Sequence, residues 1–240
     1  MTSKDVVASL NKYANPEKAK HALRFFKTGK GEYGEGDKFI GATMPEIRTV
    51  VKEFRELELT QVQELLDSPI HEHRMAGLLI IVDQYQRAKK DNAAQTKLYE
   101  FYLKNLHAAN NWDLVDVTVP RVIGNYMQNN PSEKKRLQTW ANSKDLWERR
   151  VSVLATFAFI DQGLFDDSLT IAGILLHDKE DLIHKAVGWM LREIGKKDQK
   201  VEERFLQKHY KTMPRTMLRY AIERFDKRRY DYYMGRTNTL

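Results

Sequence analysis

The chain has 240 residues, 42% hydrophobic and 30% charged, and 40 Lys and Arg against 33 Asp and Glu give a formal net charge of +7. That length can bury a sizeable core, and that balance excludes a chain too polar to fold. No apolar run approaches the roughly 18 residues of a membrane span, and without cysteine both disulfides and thiolate chemistry are excluded.

From the start, MTSKDVVASLNKYANPEK shows no signal-peptide apolar region, so a cytoplasmic location is expected. Residues 1–28 read as one or more N-terminal helices. GKGEYGEGD opens a Gly-rich connector over 29–38 that lacks P-loop or dinucleotide-fingerprint spacing. RMAGLLIIVDQYQRA, RRVSVLATFAFI, LTIAGILLH and HKAVGWMLREI then each repeat apolar residues at the three-to-four spacing of a buried helix face. No alternating stretch flanks a hairpin turn, so the fold class is all-α, with one domain over 1–240 ending in a flexible tail over 230–240. That tail, within KRRYDYYMGRTNTL, mixes cations with aromatics and either touches nucleic acid or packs and frays.

The helix starts repeat. SPIHEHRMAG, NSKDLWERRVSV, DKEDLIHKAVG and KTMPRTMLRYAI share a polar turn, a basic residue and an apolar run. The cations are Arg74, Arg150, Lys185 and Arg219, the last three separated by 35 and 34 residues. Repeats of this length build α-solenoids with a concave face lined by the second helices. Asp116 sits 34 residues before Arg150, an acid where the register elsewhere has a cation. On this alignment Arg74, Asp116, Arg150, Lys185 and Arg219 form one row. Nine basic residues between Arg204 and Arg229, opposed by Glu223 and Asp226 alone, add a local cationic surface suited to phosphates.

In NNWDLVDVTVPRV, residues 110–122, Asp113 reads as a helix N-cap. Asp116 is either structural, as a dipole or Arg150 partner, or reactive. Pro120 leaves the Asp116 carbonyl without its helical donor, which predicts an irregularity. Trp140 and Trp147 read as packing residues. Trp112, one turn before Asp116, and Trp189, one turn after Lys185, are core residues or face the row, where aromatic faces attract cations and stack on bases. His71-Glu72-His73 is too sparse for a metal site, and His177 and His184 read as solvated or capping.

NNWDLVDVTVP, LWERRVSVL and HKAVGWMLREIGKK, with NPEKA near the start and GATMPEIR, resemble the AlkD-type DNA alkylation repair family of HEAT-like-repeat DNA glycosylases. The resemblance runs in order over nearly the whole chain. It implies a curved α-solenoid whose basic concave face holds duplex DNA, and excision of cationic N3- and N7-alkylated purines. Position by position it implies Asp116 as the catalytic carboxylate, Trp112 and Trp189 at the lesion nucleotide, Arg150 beside the phosphates and Arg192 on the DNA face. Lys185 and Arg219 join that face from the repeat register. No cofactor or metal is implied. The implied partner is double-stranded DNA with alkylated bases, bound by a monomer that is nucleoid-associated when on DNA, with no membrane involved. Phe25 stands where better-known members have a tyrosine, so a hydroxyl contact is lost, and the insertion KTGKGEYGEGDKF marks a distinct branch. The rival readings are a non-catalytic module for damaged or branched DNA and a protein-binding scaffold.

Overall fold

The computed structural model of the protein describes residues 1–237. All the regular elements of these residues are helices, and the one β-type pairing among them is an isolated parallel bridge between Lys38 and Ile70. None of the described helices is long and apolar enough to cross a membrane. The helices fall into two units, residues 1–126 and residue 127 onward.

The first unit contains α1 (Ser3–Asn11), α2 (Pro16–Phe25), α3 (Met44–Glu53), α4 (Leu59–Leu66), α5 (His71–Arg87), α6 (Asn92–Lys104) and α7 (Trp112–Val119). Local chemistry sets the helix starts. Asn15 accepts from the Lys18 N–H at 3.0 Å and Pro16 takes the first position of α2, while Glu46 reaches back to the Thr43 N–H at 2.6 Å. The long helix α5 is the centre of this unit. Leu78, Ile80, Ile81 and Tyr85 are almost wholly buried, and α5 packs on α3, α4, α6 and α7. Helix α2 is the opposite case: none of its residues is buried, and Leu23 and Phe25 are 41% and 55% exposed.

After α7 the missing N–H of Pro120 has its expected effect, a π-helical turn over Pro120–Gly124. The short α8 (Asn125–Asn129) then carries the chain out of the first unit. The second unit holds α9 (Lys135–Ala141), α10 (Leu146–Ala155), α11 (Phe157–Asp161), α12 (Asp166–Ile174), α13 (Asp181–Lys197), α14 (Gln199–His209), α15 (Arg215–Ala221) and α16 (Lys227–Tyr233). Here α13 is central. Its buried Ile183, Val187, Met190, Leu191 and Ile194 recur every three or four residues and face α10, α14 and α15. Gly188 lets α15 come close, because a Cβ there would collide with the Met217 carbonyl.

Asp116, Arg150, Lys185 and Arg219 are each the fifth residue of their helix, α7, α10, α13 and α15, so the repeat read from the sequence coincides with helix starts. Arg74, the fourth residue of α5, departs from the expected open row. It is 5% exposed, and its guanidinium donates to Asp37, Asn110 and the Ser68 and Ala108 carbonyls. Asp113 is also not the N-cap: Asn111 holds that position, and Asp113 lies inside the first turn of α7. The connector is anchored at its end, where Lys38 accepts from the His71 N–H at 2.8 Å and Asp37 is buried. Residues 230–233, read as tail, belong to α16, and Tyr233 is buried in edge contact with Tyr210 and Phe225. Residues 238–240 of the expected tail lie outside the described residues.

Candidate functional site

In the first unit the site grows from the start of α7. Asn111 is extended (φ −150°, ψ 157°), fully buried, and accepts from the Trp112 N–H at 2.9 Å. Trp112 then opens the helix and Asp116 follows four residues on. That spacing puts both on one helix face, and both are half-buried. The Trp112 ring stacks on Phe26 at 5.4 Å and 25°, and Phe25 meets it edge-on at 5.7 Å. Phe26 in turn stacks on Phe39 at 5.1 Å, and both lie against the His71 ring, at 5.0 and 4.7 Å. Phe25 thus meets Trp112 ring to ring and brings no hydroxyl to it.

Below these rings lies a charged cluster. His71 Nδ1 is 3.1 Å from Asp37 Oδ2 and Nε2 is 2.9 Å from Asp113 Oδ2. Asp37 also accepts from Arg74 at 2.5 Å and from Asn111 Nδ2 at 3.2 Å. Burial alone would push the His71 pKa down, but its bonds to Asp113 and Asp37 outweigh it and raise the pKa to about 9. For Asp37 burial works upward, and the His71 hydrogen bond with the Arg74 charge holds the carboxyl below its usual range. His71 and its neighbours, dismissed as a metal site in the sequence, hold the loop instead: Glu72 accepts from the Ile40 and Gly41 N–H groups at 3.1 and 2.7 Å. Sequence reasoning missed this cluster, since Asp37, His71 and Asp113 are 34 to 76 residues apart and no periodicity links them.

The second unit holds the other candidates. The half-buried Trp189 donates from Nε1 to Glu193 at 3.1 Å, with Phe157 5.8 Å away. Lys185, Arg192 and Arg219 line one open cleft of about 680 Å³ with Thr216, Tyr220, Asp181 and Glu223. Its charge is partly spent internally: Lys185 pairs with Asp181 at 2.8 Å, and Arg192 pairs with Glu223 and Glu193. Arg219 is exposed. Arg150 lies deeper, 4% exposed, donating to the Leu182 carbonyl at 2.5 Å.

These features define an all-helical protein whose helix starts carry a repeated charge register, with a Trp–Asp pair on one of them. A family model described as "DNA alkylation repair enzyme" matches residues 6–225, and the chain belongs to that family. Its role is accordingly in DNA repair, with DNA as its partner. Among solved structures it is similar to one described as "Predicted DNA alkylation repair enzyme from Enterococcus faecalis". That match has a TM-score of 0.69 and 17% identity, and covers 89% of this chain and 97% of that one, which shows a shared fold. No curated protein matches.

Proposed function

We propose that the protein is a monofunctional DNA glycosylase that hydrolyses the N-glycosidic bond of cationic N3- and N7-alkylated purines in duplex DNA. The observation that carries this reading is the placement of Trp112 and Asp116 one turn apart on α7, with Trp112 backed by the Phe26 ring. Alkylation gives the purine a positive charge and makes it a good leaving group, so no strong general acid is needed. As the bond lengthens, positive charge develops on the sugar. A fixed carboxylate nearby stabilises that charge more in the transition state than in the ground state. At about 4 Å and an effective dielectric of about 20 such a contact is worth up to ~4 kcal/mol, on the order of a thousandfold in rate. Asp116 supplies it and orients the water that attacks the sugar carbon.

Trp112 and Trp189 hold the cationic nucleoside through their faces. Lys185, Arg192 and Arg219 grip phosphates and the charge of the buried Arg150 adds to their attraction, in a monomer bound to nucleoid DNA in the cytoplasm. The test is release of 7-methylguanine and 3-methyladenine from methylated duplex DNA by wild type and by Asp116→Asn. Release by the wild type and its loss in the variant support the reading. Tight DNA binding with no release by either leaves a module that recognises damaged or branched DNA.

A further inference from the structure

The buried cluster beneath the aromatic rings has no part in the chemistry above, yet it holds the start of the helix that carries Trp112 and Asp116. Both ring nitrogens of His71 face carboxylate oxygens, at 3.1 and 2.9 Å. An ionised carboxylate can only accept, so each nitrogen needs a hydrogen and the ring is an imidazolium. Its acceptors come from two separate segments, Asp37 at the end of the connector and Asp113 in the first turn of α7. Asp37 also takes the Asn111 amide, which caps α7, so the same carboxylate holds that helix at a second point.

We propose that His71 is a positioning residue for the reaction at Asp116: as a cationic tie between Asp37 and Asp113, it fixes the first turn of α7 and so the aim of the Trp112 ring and the Asp116 carboxylate. The proposal rests on the glycosylase reading for its consequence in rate, though not for its consequence in geometry.

Two further observations support it. A buried ionic group is a poor source of stability, because apolar residues of similar volume do as well or better. What a doubly bonded, buried cation supplies is a fixed direction at each end. The rings also link it to Trp112 a second time: His71 lies against Phe26, and Phe26 carries Trp112. Removal of the tie therefore affects Trp112 through the backbone of α7 and through the stack together. The charged groups around His71 are Asp37 from the connector, Asp113 from α7, and Arg74 and Glu72 on its own helix. Helix α2 leads into Phe26, an uncharged neighbour.

The experiment compares wild type, His71→Gln and Asp113→Asn in single-turnover excision of 3-methyladenine and in equilibrium DNA binding, from pH 7 to pH 9.5. Misplacing reacting groups by about 1 Å costs up to ~100-fold, so the variants should lose on the order of tenfold to a hundredfold in rate. DNA affinity should stay within about twofold, because no phosphate contact is touched. The wild-type rate should fall towards pH 9 and the His71→Gln rate should not follow it. Side-chain NMR reads the geometry without activity. At pH 7 His71 should show two protonated ring nitrogens, and the Trp112 indole resonance should move in both variants while that of Trp189 stays.

Folded variants that excise at the wild-type rate overturn the positioning role. If the wild type excises nothing, the glycosylase reading fails, and the NMR data decide the tie alone: a Trp112 signal indifferent to both substitutions overturns it. Should His71→Gln not fold, titration of the wild-type His71 and Trp112 signals through pH 9 gives the same decision.

Discussion

The carboxyl of Glu202 in α14 lies directly over Gly195 in α13, so close that a Cβ on that glycine would collide with Oε2. Glu202 is 2% exposed, so its side chain must repack inside the protein to make room. Gly195→Ala should therefore overpack the contact and cost about 1–3 kcal/mol. For a chain of this size that is a fall of roughly 3–10 °C in Tm. An unchanged melting curve would show that α14 yields more easily than its burial implies.

The same carboxyl makes stability depend on pH. Burial, with the Glu203 charge adding and Arg192 opposing, pushes Glu202 up to about 9 from an ordinary value of 4.5. Between those values the folded state keeps a proton that the unfolded state has released. Stability therefore falls as pH rises through this window and levels off above about 9. His71 adds a loss of the same sign between 6.5 and about 9, since its cation is favoured only in the folded state. Glu202→Gln mimics the protonated form and should flatten the part of the slope below pH 6.5. It should also raise stability at pH 8 relative to the wild type, because the variant has no proton to lose. Denaturant melts at pH 5, 6.5, 8 and 9 read both effects, and an unaltered slope in the variant would count against a neutral Glu202.

The Arg192–Glu223 pair gives a prediction about affinity. If the cleft between α13 and α15 meets phosphates, Glu223 competes with them for Arg192. Glu223→Gln should then tighten duplex binding and steepen the salt dependence by about one counterion. Arg219→Ala should weaken binding and shallow the slope by about the same amount. Titrations at 50, 100 and 200 mM salt are sufficient, and no change in slope for either would move the DNA face elsewhere.

For Asp116→Asn the expected loss is on the order of a thousandfold in single-turnover excision, with DNA affinity nearly kept. A loss below about threefold would remove the carboxylate from the chemistry.

The all-helical class, the helix starts and the charge register were legible because each is a local or periodic property. The fifth-residue placement of Asp116, Arg150, Lys185 and Arg219 goes with a polar turn and apolar spacing at each helix start, with a side-chain cap on α7 and α10. Pro120 likewise announced an irregularity, since one absent N–H suffices, and the form it takes is a π turn. What sequence could not reveal was who pairs with whom. Asp113 looks like an N-cap until Asn111 takes that place, and Arg74 looks like its register partners until Asp37, from the connector, claims it. The Arg74 error comes from long-range polar pairing, which leaves no mark on hydrophobic periodicity, and the Asp113 error from a choice between two neighbouring cap residues.

Helix α2 buries none of its residues, yet its C-terminal end leads into the Phe26 ring that backs Trp112. A segment with so little apolar anchorage has small opening free energy, so its amides should exchange with solvent deuterium long before those of α5. Each such opening takes Phe26 off Trp112. The surface that would meet a base thus has a lifetime of its own, set by ten lightly held residues rather than by the stability of the whole protein.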